Sequence, residues 1–124
     1  MRLPILVVED DAETRRSLAD YLSAHRHVTE CCATLDEALA KLAATPYACV
    51  ITNLALTARE SREGLEIVRR ARAMLPSVHL ILITASADPE VSQIAAKAGA
   101  DVVLRKPFAL KRLNPWLPRE LPET

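Results

Sequence analysis

The sequence predicts an α/β fold, in which a parallel sheet of five strands is covered by helices on both faces. Three observations predict it. Short apolar runs of strand length recur along the chain, segments of helical period lie between them, and polar residues gather where the runs end. Turn and cap residues then separate the elements in a regular alternation.

Ile5-Leu6-Val7-Val8 is a continuous apolar run, as expected of a strand buried on both faces. Arg15 to Ala24 reads as a helix, with Leu18 and Leu22 one turn apart. His27 to Cys32 is a second, weaker strand. Thr34 and Glu37 have capping-box spacing ahead of Leu35, Ala38, Leu39 and Leu42, which share one helical face. Ala48-Cys49-Val50-Ile51 follows the breaker Pro46 as the third strand. Leu65, Val68, Ala71 and Arg72 mark a third helix that closes before Pro76.

Leu80-Ile81-Leu82-Ile83 is the fourth strand. Asp88 followed by Pro89 reads as an N-cap with proline in the first helical position. Val91, Ile94, Ala95 and Ala98 form that helix's buried stripe, and Gly99 ends it in a left-handed cap. Val102-Val103-Leu104 is the fifth strand. A short last helix follows Pro107 and ends near Asn114, because Pro115, Pro118 and Pro122 prevent a longer one. The expected organisation is one domain over 1–124, with a core of about 3–114 and a proline-rich tail, 115–124.

Composition narrows the function. Apolar residues make up 50% of the chain but aromatics only 3%, so the core must be built from Leu, Ile, Val and Ala. Sixteen basic residues balance sixteen acidic ones, which gives no electrostatic footprint for nucleic acid or an anionic membrane. The Arg15-Arg16 and Arg69-Arg70 pairs read as solvated helix faces. Cys31, Cys32 and Cys49 lack metal-ligand spacing and are expected as reduced core or near-core thiols. His25, His27 and His79 are scattered and are expected at the surface. With no secretory signal pattern and no run long enough to span a bilayer, the expected location is the cytoplasm.

In an open α/β sheet, ligands bind beyond the carboxyl ends of the strands. Those ends carry Glu9-Asp10-Asp11, Asn53, Thr84 and Lys106-Pro107. Carboxylates, an amide, a hydroxyl and an ammonium therefore converge on one edge. Adjacent carboxylates suit a hard divalent cation, while a lysine and a hydroxyl suit phosphate oxygens. Glycine-rich phosphate loops are absent, since the chain has only Gly64 and Gly99, and this argues against a nucleotide-binding enzyme.

The acidic run ending Ile5-Leu6-Val7-Val8-Glu9-Asp10-Asp11, the strand end Leu82-Ile83-Thr84-Ala85, and Ala98-Gly99-Ala100-Asp101 leading into Lys106-Pro107-Phe108 resemble the receiver domains of bacterial response regulators. The resemblance runs from about Leu3 to Leu113. It implies a doubly wound, flavodoxin-like sheet in the order 2-1-3-4-5, and a signalling domain rather than an enzyme. It also implies Mg²⁺ held by Asp10, by Glu9 through water and by the backbone carbonyl of Ala55, with Asn53 as a further ligand. Thr84 would be the switch hydroxyl and Lys106 the phosphate-pairing lysine. Asp11 is either part of this cluster or the cap of the first helix.

The sequence departs from the family where the phospho-accepting aspartate is expected, at Asn53. An amide oxygen is uncharged, so Asn53 should form no acyl phosphate. Losing that charge should also weaken Mg²⁺ binding. Thr57 could approach the site but is a poor substitute. Val103 stands where the family usually has an aromatic, Thr57 where a proline is usual, and the Thr57–Glu63 loop looks about three residues longer. The expected function is signalling through protein contacts, with a histidine kinase, an effector or a second copy docking on the face formed by the fourth helix, the fifth strand and the fifth helix. That face would include Ala95, Lys97, Val103, Arg105 and Lys111. Leu113, Trp116 and Leu117 either fold over the core edge or form an apolar docking patch. An ordinary phospho-accepting receiver with an engineered asparagine fits the retained Glu9, Asp10, Thr84 and Lys106 equally well.

Overall fold

A computed structural model of the chain describes residues 3–58 and 61–119. Five parallel strands run β1 (Ile5–Val8), β2 (Thr29–Cys32), β3 (Cys49–Asn53), β4 (His79–Thr84) and β5 (Val102–Arg105). Their order in the sheet is β2-β1-β3-β4-β5, so the order reverses beside β1. The helices between them are α1 (Ala12–Ala24), α2 (Leu35–Ala44), α3 (Glu63–Met74) and α4 (Pro89–Ala98). A 3₁₀ helix, Leu110–Trp116, closes the described chain.

Strand alternation divides the core into two layers. Leu6, Val8, Val50, Leu80 and Leu82 face α2, α3 and α4. Ile5, Val7, Cys49, Ile51, Ile81 and Ile83 face α1 and the last helix. The central strands are buried on both sides, which is why they read as unbroken apolar runs.

Local cap chemistry fixes the helix ends. Thr34 Oγ1 accepts from the Glu37 amide at 3.1 Å, and Glu37 reaches back to the Ala33 amide at 3.2 Å. Asp88 accepts from the Glu90 amide at 2.9 Å, with Pro89 opening α4. Gly99 ends α4 at φ 118°, in the left-handed region. No helix among the described residues is long and apolar enough to cross a membrane.

Three expectations need correction. The last helix continues past Asn114 to Trp116, because 3₁₀ bonding from Leu117 to Asn114 leaves Pro115 no amide to supply. Leu113 in that helix and Leu117 just after it are buried and Trp116 is partly so; of the two readings of these residues, folding over the core edge is the one that holds. Cys31 is exposed because β2 is an edge strand, whereas Cys32 and Cys49 are buried, with thiols pushed by burial to about 11 and about 12. Ala95, expected on the docking face, is fully buried against the sheet as part of α4's inner stripe. Lys97, Arg105 and Lys111 are exposed on that side and Val103 is half-buried. Arg59, Glu60 and Pro122 of the expected loop and tail lie outside the described residues.

Candidate functional site

The strand ends do converge. Glu9, Asp10, Asp11, Asn53, Leu54, Ala55, Thr57, Ala58, Thr84 to Ser86 and Lys106 line one open cleft of about 600 Å³ at the carboxyl edge of the sheet. It lies over β1 and β3, at the reversal in strand order, where this architecture leaves a crevice.

Glu9 follows β1 directly and is buried, with 1% of its surface exposed. Both its carboxylate oxygens are committed. Lys106 Nζ donates to Oε1 at 2.6 Å, and the Asp11 amide donates to Oε2 at 3.3 Å. Burial pushes the Glu9 carboxyl above its ordinary value, and the hydrogen bond and charge of Lys106 oppose that push. Asp10, next along, is exposed.

Asp11 resolves as a helix cap. Its Oδ2 accepts from the Thr14 amide at 2.9 Å and from Thr14 Oγ1 at 2.6 Å, and these bonds hold its carboxyl below the usual range. Arg15, read from sequence as solvated, turns back instead. It donates to the Glu9 carbonyl at 2.9 Å and thereby pins the acidic loop. Backbone carbonyl partners leave no mark in a sequence, so this contact had no signal.

Asn53 ends β3 and is half-buried. Its Nδ2 donates to the Ala55 carbonyl at 2.6 Å and lies 3.4 Å from Asp10 Oδ1. Both partners accept only, so the amide must turn its nitrogen toward them. Gly64 permits this arrangement, because a Cβ there would fall 2.2 Å from the Asn53 carbonyl oxygen. The loop beyond is tied by Glu63, which accepts from the Thr57 amide at 3.0 Å, from Thr57 Oγ1 and from Ser61 Oγ at 2.7 Å. Thr57 therefore lines the cleft with its hydroxyl committed to Glu63.

Thr84 is buried at the end of β4, and its Oγ1 accepts from the Ser86 amide at 3.0 Å. Thr52, one residue before Asn53, is fully buried and donates to the Asn53 carbonyl. Among the described residues, no three His, Cys, Asp or Glu side chains converge as metal ligands. Any cation in the cleft would thus need the Ala55 carbonyl as well as the carboxylates.

This fold and this arrangement of strand ends define a receiver-type domain. The sequence profile described as "Response regulator receiver domain" matches residues 5–116, and the chain belongs to that family. Response regulator MprA of Mycolicibacterium vanbaalenii is 32% identical over 113 residues, covering 91% of this chain and 48% of its own length. A response regulator receiver domain protein (CheY-like) from Methanospirillum hungatei superposes with a TM-score of 0.83 at 26% identity, over 93% of this chain and 90% of that one. A response regulator protein from Burkholderia pseudomallei, solved with a phosphorylated aspartic acid, calcium ion and citrate, gives a TM-score of 0.83 at 24% identity; the match covers 94% of this chain and 66% of that one. The chain spans less than half the length of the curated relatives it matches.

Proposed function

We propose that residues 1–124 form a single receiver-type signalling module of a two-component system, cytoplasmic, that accepts no phosphoryl group at position 53 and works through protein contacts. One observation carries this reading. Asn53 stands in the same cleft as Glu9, Asp10, Thr84 and Lys106, and its side chain there is an amide. In this reading Asn53 occupies the phospho-acceptor position, Thr84 is the switch hydroxyl and Lys106 the phosphate-pairing lysine. An amide nitrogen has its lone pair delocalised and the amide oxygen carries no charge, so neither attacks phosphorus as a carboxylate does.

Mg²⁺ is the cation the family implies, with Glu9, Asp10 and Ala55 as its expected ligands. The residues do not fit it as they stand. An N–H points at the Ala55 carbonyl and at Asp10, and Lys106 holds Glu9. Weakened cation binding follows. The partner is a histidine kinase, an effector or a second copy, docking on the side that carries Lys97, Arg105 and Lys111.

A second reading is favoured by the complete set of retained neighbours: an ordinary phospho-accepting receiver in which asparagine is an engineered replacement. Treating the chain and its Asn53→Asp variant with a small-molecule phosphodonor and Mg²⁺, then weighing the intact proteins, separates the two. No phosphoryl mass on either is the expected result. A gain on the variant alone supports the second reading, and a gain on the unmodified chain overturns the proposal.

A further inference from the structure

We infer that the Asn53 amide takes the place of the divalent cation, bridging Asp10 to the Ala55 carbonyl, so that the cleft and its loop hold one conformation without any ion. This deepens the proposed function and rests on its placing of Asn53 at the acceptor position. A cation in such a cleft has two structural tasks: to neutralise the carboxylates, and to tie the loop after β3 to the loop after β1. In this chain both tasks fall to protein groups.

Neutralisation at Glu9 comes from Lys106, 2.6 Å from its carboxylate, while Arg15 donates to the Glu9 main-chain carbonyl at 2.9 Å and steadies the acidic loop. The position-53 side chain adds no negative charge. Tying is done by Asn53 Nδ2, which donates to the Ala55 carbonyl at 2.6 Å and reaches Asp10 Oδ1 at 3.4 Å. The two oxygens that a cation would need are thus the two that the amide engages.

The remainder of the loop is held independently. Leu54 N donates to the Ile83 carbonyl at 2.8 Å, and Gly64 N to the Leu54 carbonyl at 2.9 Å. Glu63 gathers the Thr57 amide and the Thr57 and Ser61 hydroxyls. Among the described residues, no buried side-chain polar atom lacks a partner, so the buried Glu9 and Thr84 beside the cleft are satisfied by protein groups. A ligand that must break existing bonds in order to bind stabilises the fold little.

Aspartate at position 53 would reverse the balance. The N–H donor becomes an acceptor facing the Ala55 carbonyl, and a third carboxylate joins Glu9 and Asp10. The ion then becomes necessary.

Calorimetric melting of the chain, of Asn53→Asp and of Asn53→Ala, each in EDTA and in excess Mg²⁺, tests this. The chain should melt at one temperature in both buffers. Asn53→Asp should melt lower in EDTA and recover with Mg²⁺, while Asn53→Ala should melt lower in both. A Mg²⁺-induced rise for the chain as large as that for Asn53→Asp overturns the inference, as does an Asn53→Ala variant with an unchanged melting point. Should a variant fail to fold, the side-chain amide resonances of Asn53 in the unmodified chain decide. They should stay in place on Mg²⁺ addition, and a large movement overturns the bridge. The failure modes are distinct: phosphoryl mass on the chain refutes the proposed function, whereas melting or amide shifts with no mass gain refute the bridge alone.

Discussion

At the carboxyl edge of the sheet, several side chains each make their own short contacts: Lys106 on Glu9, Arg15 on the Glu9 carbonyl, Asn53 on Asp10 and the Ala55 carbonyl, Asp11 on its own helix. At the amino edge, a single arginine holds main chain. Arg72, from the last turn of α3, donates to the carbonyl of Gly99 through Nε at 3.2 Å and Nη2 at 2.9 Å. It also donates to the carbonyls of Pro76 and Val78, both at 2.9 Å, and to Asp101 Oδ2 at 3.1 Å. Asp101 in turn accepts from the Leu80 amide at 2.8 Å, which joins the entries to β4 and β5. One edge is thus a set of separate contacts, each made by a different side chain around an open cleft. The other is a closed clamp with little to exchange. Adaptation of function can proceed at the first without disturbing the second.

If the clamp carries stability, Arg72→Ala should give the largest loss. Several half-buried carbonyls and Asp101 would lose a charged donor, for about 3 kcal/mol, read as a fall in the urea midpoint at unchanged slope. Arg72→Lys, which keeps the charge but lacks the planar fork, should lose less. A near-neutral Arg72→Ala would abolish the contrast between the two edges.

Lys106→Met should come next, at about 2 kcal/mol at neutral pH, below the cost for a fully buried pair because Lys106 is 28% exposed. Its sign with pH follows from Glu9. A carboxyl whose folded value lies above its ordinary 4.5 stabilises the fold below that value, and the contribution disappears as pH rises through the folded value. Without Lys106 this loss deepens, so the deficit of Lys106→Met should shrink as the solution is acidified toward pH 4.5. A deficit that grows on acidification would show that Glu9 is not the partner left behind.

Gly99→Ala should cost about 1–2 kcal/mol, since φ 118° disfavours a side chain. The new Cβ would also stand 2.9 Å from Arg72 Cγ, so the strain falls on the clamp itself. Measured in the Arg72→Ala background, part of this cost should vanish; full additivity would separate the two residues.

Asp11→Ala should give the smallest loss, through the α1 cap. Thr14 holds the Asp11 carboxyl below its ordinary 3.8, so the cap contributes above that value and fades as pH falls through the lower folded one. A larger loss near pH 2 than at pH 7 would rule out the capping role.

The two edges also differ in how far the sequence could reveal them. The carboxyl edge was legible because strand ends are read directly from the apolar runs, and Glu9, Asp10, Asn53, Thr84 and Lys106 stand at those ends. The caps Thr34, Asp88 and Gly99 were legible because their chemistry is local. Arg72 was read only as part of a helical stripe, since its partners Gly99, Pro76 and Val78 contribute backbone oxygens, which every residue has. Arg15 was missed for the same reason. Ala95 was read from helical period as part of the buried stripe of α4, which the fold bears out, and its second placing on the docking face took only the side of the sheet into account. The direction of the Asn53 amide needed the path of the loop as well, and Gly64 sets that path.

The tail has a consequence for where this unit can be cut or joined to another. Tyr21 Oη donates to Asn114 Oδ1 at 2.6 Å, and His79 Nδ1 lies 2.7 Å from the Trp116 carbonyl, so the last turns are fastened to α1 and β4. Leu113 and Leu117 are the lids of the layer containing Leu18, Leu22 and Ile81. Trimming the polypeptide after Leu113 would strip that layer of Leu117 and Trp116 and leave a greasy face that draws copies together into aggregates. A fusion or truncation should therefore leave Trp116 and Leu117 in place.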